Sequence, residues 1–184
     1  MTNRPAALGI DGGDASGAGV LTDAALTSFV VEHYGRLLGL ARLICRDALD
    51  AADAVQVGLE QAWRHRAALQ ETDRLRAWLD RIVAREAVRV SVRRRSWPAR
   101  LGGAGVTWLD PRDPAGELTV DMAALRDAFH RLPPSQRAVI GLHLHLGYSI
   151  AETAELVGAP VETVRTRVRR AKDRLRHDLE ETDR

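Results

Sequence analysis

The chain is 184 residues long, 45% hydrophobic and 28% charged, with a formal net charge of +2. That balance excludes a disordered polyelectrolyte, and the length suits one domain or two small ones. Aromatic residues make up only 4%, and the one cysteine, Cys45, has no partner for an internal disulfide, so packed helices with a Leu, Val and Ala core are expected in a reducing cytoplasm.

No apolar run is long enough to span a membrane, and the opening MTNRPAALGIDGG lacks the apolar block of a signal peptide. Residues 1–21 are rich in Gly and Ala. Their GIDGGDASGAG stretch follows no strand and has no lysine at P-loop spacing, so a flexible tail is expected. From Thr22 the pattern turns helical. Thr22 or Asp23 can cap a helix on which Phe29, Val30, Tyr34, Leu37, Leu38, Ala41 and Ile44 recur at helical spacing. Asp47 or Asp50 can cap a second helix carrying Val55, Leu59, Ala62 and Trp63.

After the polar stretch HRAALQETD, a third helix is expected from about Arg74 to Arg95. Leu75, Trp78, Leu79, Ile82, Val83 and Val90 form its apolar stripe, while Arg74, Arg81, Arg85 and Arg89 recur at intervals of one or two turns. Trp63 and Trp78 both sit on apolar stripes and are read as core. Residues 97–119 contain prolines and glycines with no sustained period, which predicts a flexible linker whose Trp97, Trp108 and Leu109 can dock on a neighbouring surface.

Helical patterns resume after Asp121: MAALRDAFHRL, a Pro133-Pro134 break, SQRAVIGLHLHLG, SIAETAELVG, and a last basic helix. Ser149 can cap a short helix with Ile150, Ala154 and Val157 inward. Gly158 supplies a turn, and Val161, Val164, Val168, Ala171, Leu175 and Leu179 form the buried stripe of the final helix. Two helices joined by a glycine turn is the helix-turn-helix arrangement, whose second helix enters the major groove. On a helical wheel of about 100° per residue, Glu162, Thr166, Arg169 and Arg170 lie opposite Val164, flanked by Thr163 and Arg165. Glu162, Thr163, Arg165, Thr166 and Arg169 are therefore candidates to read base edges, and Arg170 and Arg174 to hold phosphates.

Charge is not spread evenly. Residues 161–177 hold seven Arg or Lys against two acids, and residues 74–95 hold eight Arg against Asp80 and Glu86. With a total of only +2, the rest of the chain is acidic. Basic flanks on an otherwise acidic chain suit a polyanion, because each cation near a phosphate releases condensed counterions. No catalytic constellation or phosphate cradle occurs, and His143 and His145, two apart on a helix, point away from each other. No enzyme activity, cofactor or metal site is expected.

Together these motifs resemble the extracytoplasmic-function sigma factors. DAADAVQVGLEQAW (50–63) is similar to the family's D-A-E-D-L-V-Q-E-x-F-x-x-A-W and is followed by RAWLDRI (76–82); LPPSQRAVI (132–140) and GYSIAETAELVGAPVETVRTRVRRAKDRLR (147–176) match the second half. The resemblance implies an alternative sigma subunit that binds core RNA polymerase at the β′ clamp helices and the β subunit, and recognises promoter −10 and −35 elements. It assigns Asp50, Asp53, Val55 and Gln56 to the polymerase and Arg81 to the −10 strand, to which Arg74, Arg85 and Arg89 are added from the arginine ladder. The reading residues of the final helix become −35 contacts, and an anti-sigma protein becomes a candidate partner. The chain departs from the family pattern at Ala52, Val57 and Ala84-Arg85, and Gly58 falls inside a helix at a local cost near 1 kcal/mol.

The expected architecture is all-α: a tail (1–21), a region 2-like domain (22–96), a linker (97–119) and a region 4-like helix-turn-helix domain (120–184). The competing expectation, an autonomous helix-turn-helix regulator of duplex DNA, leaves the first domain without a task.

Overall fold

In a computed structural model of the chain, residues 22–69, 74–96 and 120–182 are described. The tail, the linker and residues 70–73 lie outside them, as do Trp97 and Trp108. Every regular element among the described residues is helical.

Three helices build the first module: α1 (Asp23–Ile44), α2 (Ala48–His65) and α3 (Leu75–Ser96). Of the possible caps, Thr22 takes α1 by accepting from the Ala25 amide, and Asp47 takes α2 by accepting from the amides of Leu49 and Asp50. The buried stripes are small and aliphatic. Leu37, Leu40, Ala41 and Ile44 of α1 meet Ala51, Ala54, Val55 and Ala62 of α2 and Leu79, Val83 and Ala87 of α3. Gly58 explains itself here. A Cβ at this position would come within 3.2 Å of a Val83 methyl, so its absence lets α2 and α3 approach closely and offsets the propensity cost.

Trp63 departs from the sequence expectation. It is 41% exposed, with the Arg66 guanidinium 5.3 Å from its ring centroid. Its position at the edge of the stripe, near the end of α2, leaves one face uncovered. Trp78 does pack against the core.

The second module comprises α4 (Val120–Arg131), α5 (Pro134–Ile140), a single π-type turn (Gly141–His145), α6 (Ile150–Val157) and α7 (Val161–Thr182). Leu132, Val139, Ile140, Ala154, Val164, Val168 and Ala171 form its core, with Leu175 packed against them. Val161, predicted inside, is 40% exposed, because the first turn of α7 projects beyond the helices that cover the rest of the stripe.

The modules are also packed on each other, with α5 and α6 lying on α1 and α3. Ala138, Leu142 and Leu156 of the second module belong to the same buried cluster as Leu37, Leu79 and Val83 of the first. Arg137 crosses the junction while only 2% exposed. Its Nε donates to the Ile44 carbonyl at 2.7 Å, and its Nη1 donates to the carbonyls of His130 and Leu132 at 3.0 Å each. Arg46 donates to the same His130 carbonyl at 2.9 Å. On the far side of the junction, the Tyr148 hydroxyl donates to Asp80 at 2.7 Å, and Arg36 Nη1 reaches both oxygens of that carboxylate at 2.7 and 2.6 Å.

Burial first, and then the charges of Arg137, Arg46 and Arg126, push the His130 pKa from 6.5 down to about 4. An unfolded chain takes up this proton near its ordinary value, whereas the folded chain resists it until about pH 4, so acid favours unfolding between those values. The urea midpoint is therefore expected to fall as pH drops from 7 towards 4.5. His130→Gln, which has nothing to titrate, should flatten that fall when unfolding is followed by circular dichroism.

Candidate nucleic-acid interface

The helix-turn-helix is set by local chemistry at both of its joints. Ser149 Oγ accepts from the Glu152 amide at 3.2 Å, and the Glu152 carboxylate accepts from the Ser149 amide at 2.7 Å, a reciprocal cap that starts α6. These bonds hold the Glu152 carboxyl below its ordinary range. Gly158 ends α6 in the left-handed conformation, with φ at 67°, and turns the chain into α7.

With Val164, Val168 and Ala171 buried, α7 turns Glu162, Arg165, Arg169, Arg170 and Arg174 outward, and Thr163 and Thr166 are half-buried at its flanks. Glu162 and Arg165 form an ion pair one turn apart, which fixes both at the leading end of the helix. A duplex phosphate or guanine edge would compete with Glu162 for this guanidinium.

The arginine ladder is exposed at Arg74, just ahead of α3, and at Arg81, Arg85 and Arg89 on that helix, but it is not one uniform surface. Arg89 is paired with Glu86 at 2.7 Å. Arg74 and Arg81 border a cleft of about 340 Å³ that Ala68, Leu69, Ala77 and Trp78 floor, and Glu155 and Leu156 of α6 close its other side. Trp78 thus contributes to the core and to the cleft wall. Arg85 lies over the Gly158 turn, and a Cβ at Gly158 would collide with its guanidinium. Burial, and then neighbouring Arg81, lower the Arg85 pKa.

The four residues assigned to the polymerase separate. Asp53 and Gln56 face outward from α2. Val55 is 0% exposed within the core, so its assignment as a polymerase contact is corrected: the residue supports α2 from behind. Asp50 is 8% exposed and bonded to Arg94 at 2.9 Å, which ties the start of α2 to the end of α3 and leaves little of the carboxylate for a partner. Burial, first among its influences, raises the Asp50 pKa despite Arg94. Beside Asp53 and Gln56 runs a groove of about 390 Å³ between α2 and α3, bordered by Val57, Arg89 and Arg93. Val57, a departure from the family pattern, therefore puts methyl groups on this surface.

Elsewhere the chemistry is quiet. No group of three or more His, Cys, Asp or Glu side chains among the described residues could hold a metal ion. His143 Nδ1 donates to the Tyr148 carbonyl at 2.6 Å, and His145 is exposed. Cys45 is buried against Ser91 and the Ala87 carbonyl, with burial pushing its thiol up to about 11. No helix among the described residues is long and apolar enough to cross a membrane.

Comparison with known proteins covers both modules. Residues 29–98 match the sigma-70 region 2 family, and residues 122–175 match sigma-70, region 4. The ECF RNA polymerase sigma factor SigM of Mycobacterium tuberculosis is 32% identical over 146 residues, spanning 78% of this chain and 71% of that protein. SigL of the same species is 32% identical over 170 residues, spanning 90% and 95%. The RNA polymerase sigma-E factor of Streptomyces coelicolor is 31% identical over 154 residues, spanning 82% and 84%. In three dimensions the fold is similar to RpoE of Bartonella quintana, solved with the anti-sigma factor NepR, at a TM-score of 0.66 and 24% identity over 86% of this chain and 98% of that one. CnrH, solved with the cytosolic domain of CnrY, gives 0.62 and 25% over 87% and 90%. Because the first module has its own family match, the autonomous duplex-binding regulator is not favoured.

Replacing Gly158 by Ala is expected to cost about 1–2 kcal/mol from the left-handed backbone alone, and to displace Arg85 as well. Urea unfolding of the G158A chain reads the loss. A variant as stable as the wild type contradicts the assigned turn.

Proposed function

The chain belongs to the extracytoplasmic-function sigma factors, and from that membership we propose which surfaces carry which part of the task. It is an alternative sigma subunit: it directs core RNA polymerase to specific promoters, and its family acts by binding rather than by catalysis. The observation that carries the division of labour is the outward face of α7, held clear of the core by the Ser149 cap and the Gly158 turn.

In this reading α7 enters the major groove of the −35 element. Arg165 and Arg169 are placed to donate in pairs to guanine O6 and N7, Thr163, Thr166 and Glu162 to complete the base contacts, and Arg170 and Arg174 to hold phosphates. The α3 flank with Arg74, Arg81, Arg85 and Arg89 is the track for the melted −10 strand. Single-stranded DNA needs positive charge along its backbone and a ring on which a base can stack, and Trp78 at the cleft wall supplies the ring. Exposed Trp63 is a second stacking candidate at the end of α2. Asp53 and Gln56 dock on core polymerase, where an acidic amphipathic helix complements basic and apolar patches on the β′ clamp helices, and the second module meets the β subunit. The complex of the similar RpoE with NepR supports an anti-sigma protein as a further partner. We place the working protein in the cytoplasm, on the nucleoid with polymerase.

Run-off transcription with reconstituted core polymerase on a genomic library tests the reading, since start sites disclose both promoter elements. Transcription that does not depend on the added chain refutes it. Changing Arg165 or Arg169 to Ala should lose about 1–3 kcal/mol of discrimination at particular −35 base pairs. Equal weakening on all sequences would assign that arginine to phosphate. Asp53→Arg should weaken core binding roughly tenfold or more, because like charges at an interface cost several kcal/mol. Duplex affinity measured without polymerase should be unchanged in that variant, and unaltered core binding would remove Asp53 from the docking surface.

A further inference from the structure

We propose that the small cleft between α3, α5 and α7 is a binding site for one phosphoryl group, held by the guanidinium groups of Arg85 and Arg167 and the hydroxyl of Ser135. Such a group comes from free phosphate or from the backbone of a DNA strand, and the chemistry of capture is the same for both. The site stands independently of the promoter assignments above.

The cleft measures about 140 Å³ and lies where the two modules meet. Pockets for drug-sized ligands begin at roughly 300 Å³, so this one suits a small ion rather than a nucleoside. Val88 of α3, Ala138 of α5 and Val157 of α6 give it apolar walls, and Arg85, Ser135 and Arg167 are the polar side chains that line it. Arg167 is half-buried, on the flank of α7 turned away from the residues assigned to the major groove. The Arg85 guanidinium lies against the Gly158 turn, where a residue without a Cβ leaves it room.

What the cleft lacks is negative charge. Elsewhere an arginine that joins two helices meets a carboxylate: Arg36 meets Asp80, Arg94 meets Asp50 and Arg131 meets Asp178. Here two guanidinium groups share one cleft with no carboxylate in its lining, and neither is paired among the described residues. Burial, and then the charge of Arg81, disfavour the Arg85 cation where it stands. A bound anion offsets both effects. Guanidinium forks match the tetrahedral oxygens of a phosphoryl group, and a hydroxyl such as that of Ser135 can donate to a further oxygen. A carboxylate, with two oxygens in one plane, would satisfy fewer of these donors. The occupied site ties α3 to α5 and α7 through the ion.

Titration calorimetry of the full-length chain with inorganic phosphate, at an ionic strength held constant with chloride, tests the site. One phosphate per chain is expected, and Arg85→Gln and Arg167→Gln should each weaken its binding at least about tenfold. Arg176→Gln, exposed on α7 and outside the cleft, should bind as the wild type does. If circular dichroism shows that the glutamine variants unfold, Ser135→Ala carries the test, with a several-fold loss expected. Anisotropy of a fluorescent oligo-dT strand separates the sources. Strand affinity that falls in Arg167→Gln assigns the site to a strand phosphate, whereas unchanged strand affinity beside saturable phosphate binding assigns it to free phosphate. No saturable phosphate binding, together with strand affinity that Arg167→Gln leaves unchanged, overturns the proposal. Phosphate binding that survives intact in both glutamine variants overturns it as well. A chain that binds phosphate here but fails run-off transcription keeps the site and loses the assigned function.

Discussion

A guanidinium shut away from water has to find acceptors, and the arrangement of this chain turns on how Arg137 finds them. It takes the Ile44 carbonyl at the last turn of α1 and the carbonyls of His130 and Leu132 at the end of α4. Helix C-termini present unpaired carbonyls with partial negative charge, so one cation answers the needs of two helix ends while those ends answer the cost of its burial. The bond to Ile44 also fixes where α5 sits. Because α5 leads through one π-type turn into α6 and α7, that placement decides how the helix-turn-helix is presented to everything outside.

Around this junction the chain handles a composition that is poor in aromatics by packing small residues closely. Ala51, Ala54, Gly58 and Ala62 on α2 meet Val83, Ala84 and Ala87 on α3, and the close approach compensates for the small area each side chain buries. Away from Arg137, most arginines of α3 and α7 stay outside because their apolar neighbours take the inside. On α7, Val164, Val168 and Ala171 hold one face, and the guanidinium groups are left to stand off the others. The electrostatic character of the surface follows from the packing of the core.

That logic explains what could be read from the sequence. Caps, stripes and the glycine turn are local signals, so Thr22, Asp47, Ser149, Gly158 and the exposed arginines of α7 were all legible. Periodicity says that Val55 and Trp63 share a stripe, but not which neighbour covers which part of it. The stripe makes Trp63 core although it is 41% exposed, and only the family resemblance makes Val55 a docking residue although it is fully covered. The junction itself left no local trace. Tyr148 and Asp80 are 68 residues apart, and Arg137 and Ile44 are 93 apart, and neither pairing is implied by spacing, charge pattern or propensity. A basic residue at 137 and an acid at 80 look like ordinary surface until the fold brings them under cover.

Cys45 shows what such cover does to chemistry. With a thiol pKa near 11, only about one molecule in ten thousand carries the reactive thiolate at neutral pH, and the neighbouring helices keep peroxides and disulfides from reaching it. The one thiol of the chain is consequently shielded from oxidants. Any thiol-based signal of oxidative stress would therefore have to arise in another molecule and reach this chain through binding.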